Sequence, residues 1–184
     1  VDGNYRPCLP SNKFDWILNW LHERGIDGPE PSGSRVVIAS QFTRHINLFA
    51  AQLREHHKIN CYVLTGATSS DDRQLFQKEF QAGTTAAGTP SPEVFLINTK
   101  AGGVGITLDA ADDMIVIDST HNVDDQVQLE DRIHRISRIH NVTIWNLASK
   151  GSIDQQILRE TRKTGRSLKR ILDTPESAIA FLDS

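Results

Sequence analysis

The residues best suited to chemistry lie in the run Gln128-Leu129-Glu130-Asp131-Arg132-Ile133-His134-Arg135. On a helix, Gln128, Arg132 and Arg135 stand at i, i+4 and i+7, on one face, while Leu129, Ile133 and Ile136 repeat that spacing on the adjoining face. Such a helix packs by its apolar side and presents two guanidiniums and an amide beside it. A guanidinium stays charged and offers a planar fork of donors that matches phosphate oxygens. Two of them aimed at a triphosphate would stabilise the charge that develops on the γ-phosphoryl group during its transfer. By spacing alone, the plainer reading is that both arginines pair with surface carboxylates such as Glu130 and Asp131.

A second run, Thr99-Lys100-Ala101-Gly102-Gly103-Val104-Gly105-Ile106, follows directly on a predicted buried strand. In α/β folds, ligands bind at the carboxyl ends of strands. Glycines let the backbone approach a phosphate, and free N–H groups form an anion nest. Taken singly, the run reads equally well as a tight strand-to-helix turn. These 184 residues contain no G-x-x-x-x-G-K-[ST] loop and no D-E-x-[DH] run after a strand. Arginines directed at a triphosphate would therefore complete a site whose phosphate loop lies elsewhere. No metal site is expected: His56 and His57 are adjacent and point apart, and no Cys or His pair has zinc spacing.

The elements that must hold these residues alternate in type. Apolar runs at 35–40, 60–65, 93–98, 114–118 and 142–147 predict strands buried on both faces, as in a parallel sheet. Helical periodicity falls at about 13–24, 44–57, 70–81 and 124–136. In the first of these, Phe14, Ile17, Leu18 and Leu21 form a single stripe, and Ser11 stands ahead as a candidate N-cap. The alternation predicts a doubly wound α/β domain. Residues 25–33 read as a linker, 82–92 as a mobile surface loop, 153–172 as a final helical region and 175–182 as a short closing helix. The predicted organisation is an opening helix and linker over 1–34, the α/β domain over 35–150 and C-terminal brace helices over 151–184.

The bulk composition is compatible with this. Hydrophobic residues are 38% and charged residues 23%, in the range of a globular rather than a disordered chain. No apolar run approaches the ~20 residues needed to cross a bilayer, so no membrane partner is expected. Two cysteines, Cys8 and Cys61, supply no disulfide framework. The net charge of −3 argues against a nucleic-acid binder that uses its whole surface. Basic residues do gather between Arg132 and Arg170, which also fits a solvated helix face.

Together, order and spacing resemble the C-terminal RecA-like helicase lobe of superfamily 2, of the SWI/SNF-type (chromatin-remodeller-like) ATPases. Ser11-Asn12-Lys13 with Trp16 and Leu18 resembles that family's S-G-K-L helix, and 36–43 (VVIASQFT) its motif IV strand. Residues 66–73 (GATSSDDR) resemble its G-x-T-x-x-x-x-R block, 98–108 its motif V, 128–136 its motif VI, and Gly151-Ser152-Ile153-Asp154 with Ile157 the start of its brace helix. The resemblance implies a RecA-like doubly wound sheet and the second motor lobe of an ATP-dependent DNA translocase. Arg132 and Arg135 would be arginine fingers, with Gln128 organising the same interface. Gly103 and Gly105 would lie near the nucleotide, and Thr99, Lys100 and, less directly, Arg73 on the DNA backbone. Phe42 would support motif VI by packing. ATP and magnesium would be shared with the N-terminal lobe, the expected partners being that lobe and duplex or branched DNA. Thr107, His121, Val123 and Ser137-Arg138 depart from the family pattern and point to a divergent member, of phage or bacterial kind. The location implied is the cytoplasm, or the nucleus in a eukaryote. Two other functions fit parts of the pattern: an RNA-directed helicase lobe, and an ATP-independent nucleic-acid binding module.

Overall fold

The structure, a computed structural model, describes residues 12–99, 108–118, 143–159 and 177–182. The predicted strands form β1 (Val36–Ser40), β2 (Cys61–Leu64), β3 (Val94–Asn98), β4 (Asp113–Val116) and β5 (Thr143–Ser149). Every residue of β1, β3 and β4 is buried, as their unbroken apolar runs require. All pairings are parallel, in the order β2-β3-β1-β4-β5-β6, where β6 is Ser177–Leu182. Side chains alternate across the sheet. Val37 and Ala39 of β1 meet a core with Phe80, Phe95 and Leu64, while Val36 and Ile38 meet Ile17, Leu21, Ile46 and Leu53 on the other face.

Three helices follow the predicted spans within a residue: α1 (Asn12–Glu23), α2 (Thr43–His56) and α3 (Ser70–Ala82). Helix α1 buries Ile17, Trp20 and Leu21, and α2 buries Ile46, Phe49, Ala50 and Leu53, so both cover the same face of the sheet. Helix α3 begins at an N-cap, Ser69, whose Oγ accepts the Asp72 N–H at 3.1 Å. It ends at Gly83, with φ of 73°, whose N–H donates to Glu79 O at 2.9 Å. The candidate cap Ser11 and the predicted helix 124–136 lie outside the described residues.

Two loops are more ordered than their composition predicts. In the 82–92 loop, Thr85 N–H donates to Thr89 O at 2.8 Å, and Ala86 N–H to Glu79 Oε1 at 2.7 Å. The Tyr62 hydroxyl donates to the other Glu79 oxygen at 2.7 Å. The Tyr62 bond first, then the Ala86 bond, hold the Glu79 carboxyl below its ordinary pKa, and burial with the Glu79 bond pushes the Tyr62 phenol up. Residues 25–33 bury Ile26, and Glu93 Oε1 accepts from Gly33 N–H at 2.7 Å and Ser32 Oγ at 3.1 Å.

The amino ends of the strands are held by backbone and ionic contacts. Arg35 N–H donates to Asp112 Oδ2 at 2.9 Å, and Arg35 O accepts from Asp112 N–H at 2.8 Å. The buried Asp113 carboxylate accepts from Trp145 Nε1 at 2.8 Å and pairs with Arg24 Nη1 at 3.1 Å. Arg24 lies over the Trp20 ring, 4.8 Å from its centroid.

The C-terminal region departs from expectation. Residues 153–159 are helical, here α4, and bury Ile157 and Leu158, while the remainder of the predicted helical region, 160–172, lies outside the described residues. The predicted closing helix over 175–182 is instead the strand β6, paired in parallel with β5 from Ile144–Ser177 to Ser149–Leu182. A short apolar run does not distinguish helix from strand by its periodicity, and the open margin of β5 settles it.

Candidate functional site

The strand order fixes where a site can form. The connection from β1 leads to β2 on one side, and that from β4 leads to β5 on the other. The chain therefore reverses its direction of winding between β1 and β4, and in such sheets ligands bind beyond the carboxyl ends of the strands at that point. Ser40 ends β1 there, Asn98 ends the neighbouring β3, and Asp118 lies two residues beyond β4.

Ser40 is wholly buried and tied to both neighbours. Its carbonyl accepts the Thr99 N–H at 3.0 Å. Its hydroxyl donates to Asp118 Oδ2 and accepts the Phe42 N–H at 3.1 Å. His45 Nδ1, in the first turn of α2, stands 3.5 Å from the second Asp118 oxygen. Asn98, 3% exposed, donates through Nδ2 to Gln41 O at 3.0 Å and Thr43 Oγ1 at 3.2 Å, which anchors the start of α2. Ile117 is fixed at both ends of its peptide unit: its N–H donates to Ala39 O at 2.9 Å, and its carbonyl accepts Lys13 Nζ at 2.7 Å. Lys13 also pairs with Asp154 of α4 at 2.5 Å.

The β2 end of the same margin carries a tight turn. Thr68 Oγ1 accepts Thr65 N–H at 2.9 Å, and Thr68 N–H donates to Thr65 O at 3.1 Å. Arg73 follows in the first turns of α3. Its Nη2 makes one long bond, 3.4 Å, to Thr68 O, and its Nε is buried with no acceptor. A buried guanidinium N–H without an acceptor is costly.

Of the residues singled out from the sequence, Thr99 and Arg73 both stand at this carboxyl margin, one after β3 and one after the turn that follows β2. Lys100, Gly103, Gly105, Gln128, Arg132 and Arg135 lie outside the described residues. Phe42 is half exposed and meets the His45 ring edge-on at 5.1 Å, while the motif VI segment it was expected to support lies outside the described residues. Sequence reasoning passed over Ser40, Asn98 and Asp118. The available signal was a polar residue closing each of three otherwise apolar strand runs. Among the described residues, no group of three or more His, Cys, Asp or Glu could hold a metal ion, and no helix is long and apolar enough to cross a membrane.

Comparison with known proteins bears on the same region. Residues 13–137 match the family described as the helicase conserved C-terminal domain. The chain is 36% identical over 182 residues to the probable ATP-dependent DNA helicase CHR23 of Arabidopsis thaliana, covering 93% of this chain and 16% of that protein. It is 33% identical over 168 residues to the chromatin-remodeling ATPase INO80 of Neurospora crassa, covering 91% of this chain and 8% of that protein. It thus spans less than a fifth of the length of these relatives. Among solved structures, the C-terminal part of the Fun30 ATPase domain superposes with a TM-score of 0.65 at 30% identity, over 80% of this chain and 44% of that one. The Sulfolobus solfataricus SWI2/SNF2 ATPase core domain shares the fold, with a TM-score of 0.61 at 23% identity, over 86% and 29% of the two chains.

Proposed function

Since the chain belongs to the helicase conserved C-terminal domain family, as a SWI/SNF-type superfamily 2 member, we propose that it is the second motor lobe of an ATP-dependent DNA translocase. The observation that carries this reading is Ser40. One buried residue binds both Thr99, the first residue of the Gly-rich run, and Asp118, ten residues before Gln128 in the sequence. Thr99 and Asp118 stand just beyond β3 and β4, the two strands that flank β1.

ATP with magnesium, held chiefly by the N-terminal lobe, supplies the phosphoryl group that passes to water. This chain contributes donors. Arg132 and Arg135 reach the triphosphate when the lobes close, and Gln128 orders the interface between them. Gly103 and Gly105 allow close approach of backbone to the nucleotide and the opposing lobe. Thr99 and Lys100 bear on the phosphates of the tracked strand, and Arg73, in the first turn of α3 at the same margin, adds a guanidinium beside them. Closure is then a population shift driven by contacts made only in the closed state.

Arg135→Ala in the intact protein is expected to lower DNA-stimulated ATP turnover by about 10³-fold or more, with DNA affinity nearly unchanged. Turnover at the wild-type rate in that variant would refute the finger role. Stimulation by RNA in place of duplex DNA would instead favour an RNA-directed lobe.

A further inference from the structure

We propose that Ser40 is a positioning residue that couples the DNA-facing run to the nucleotide-facing run, through paired bonds to Thr99 and Asp118. The proposal rests on the motor-lobe reading above. A motor lobe needs more than two competent surfaces: strain at one must reach the other. Coupling of this kind travels through packed, hydrogen-bonded contacts with defined arrangements, not through distance alone.

Ser40 has the connectivity for this. It is wholly buried in the central strand of the three that meet at the switch point. Its backbone carbonyl receives the Thr99 N–H at 3.0 Å, so a pull on the segment that begins at Thr99 acts on Ser40 directly. Its hydroxyl proton goes to Asp118, the residue next to position 119, where the chain sets out toward the arginines. The same oxygen accepts the Phe42 N–H at 3.1 Å, which fixes the hydroxyl rotamer. Ile117 is independently clamped by Ala39 O at 2.9 Å and Lys13 Nζ at 2.7 Å. Asp118 follows this fixed residue directly, held by the Ser40 hydroxyl at one carboxylate oxygen and facing His45 Nδ1 at 3.5 Å from the other. The fold alone does not require this bond. The parallel ladder already pairs β1 with β4 from Val36–Asp113 to Ala39–Val116, and the hydroxyl bond lies beyond its end. Removing a single hydroxyl there leaves the ladder whole and frees the Asp118 carboxylate and the Phe42 N–H.

The test uses the intact protein and the variants Ser40→Ala, Asp118→Ala and Asp118→Asn. Asparagine keeps an acceptor for the Ser40 proton; alanine does not. Ser40→Ala and Asp118→Ala are each expected to lower the DNA-stimulated kcat by about tenfold while KM for ATP and DNA affinity move by less than about twofold, as for a misplaced group. Asp118→Asn is expected to keep most of the stimulation, and the double alanine variant to be no worse than either single one. Wild-type stimulation in Ser40→Ala overturns the proposal. So do equal impairment of Asp118→Asn and Asp118→Ala, and additive losses in the double variant. If Ser40→Ala does not fold, the two Asp118 variants decide alone. Wild-type behaviour of Ser40→Ala beside an inactive Arg135→Ala overturns this coupling and leaves the motor-lobe reading intact. A wild-type protein with no DNA-stimulated turnover overturns both.

Discussion

The two ends of one sheet are built from different materials. At the amino ends, carboxylates fix the strands: Asp112 accepts the Arg35 backbone N–H, and Asp113 stands between Arg24 and Trp145. At the carboxyl ends, buried uncharged side chains also reach across to neighbouring segments, Ser40 to Asp118 and Asn98 to Gln41 and Thr43, beside the Lys13 to Asp154 pair. The first arrangement closes the sheet off. The second leaves buried polar groups at the strand ends that precede the Gly-rich run. On the proposed function, stability and chemistry are separated along a single strand, β1, five residues long.

That separation can be broken by experiment. The largest stability effect is expected from the amino end. Asp113→Ala leaves the Trp145 N–H without its acceptor and Arg24 without its partner, and should cost about 2 kcal/mol, most of it from the buried bond because Arg24 is partly exposed. Denaturant unfolding followed by tryptophan fluorescence checks this, and Asp113→Asn should lose less. A fall in DNA-stimulated kcat at temperatures where Asp113→Ala is still folded would erase the contrast between the ends. Next in size is Gly83→Ala. Its φ of 73° disfavours a Cβ, and that Cβ would stand 2.1 Å from Arg35 Nη2, although the guanidinium can swing aside. The expected cost is about 1 kcal/mol, read as a shift of the unfolding midpoint. The smallest effect sharpens the comparison by pH. The Glu79 carboxyl is held below its ordinary pKa in the folded chain, so its tether to Tyr62 and Ala86 is complete above the unfolded value of 4.5 and is lost as pH falls through the lower folded value. The Ala86 amide resonance should titrate there, while the Thr99 amide, bonded to a backbone carbonyl, should not.

The strands and first three helices were legible because their signals are local. Five largely apolar runs and three amphipathic stripes fix type and extent within a residue or two. The site was legible only in part. Thr99 and Arg73 were singled out by motif, and the sheet brings both to one margin. Ser40 and Asp118 were not found, since nothing local marks residues 78 positions apart as partners. Residues 175–182 were misread for a related reason. The run S-A-I-A-F-L in β6 suits a helix or a strand, and only the unpaired margin of β5, supplied by distant sequence, selects the strand. The loop 82–92 looked free because its residues are small, but its anchors, Glu79 and Tyr62, lie outside it.

The Lys13 to Asp154 clasp has a consequence for how the domain is made. Its partners are 141 residues apart, and the Lys13 bond to Ile117 O spans 104. Loops of that length close slowly, and only after the segments between them have docked. A nascent chain that has not yet emerged through α4 therefore leaves Lys13 with its bond to the end of β4 alone, and the Asp154 partner arrives later. The opening helix and the end of β4 are thus fastened to α4 only near the close of biosynthesis.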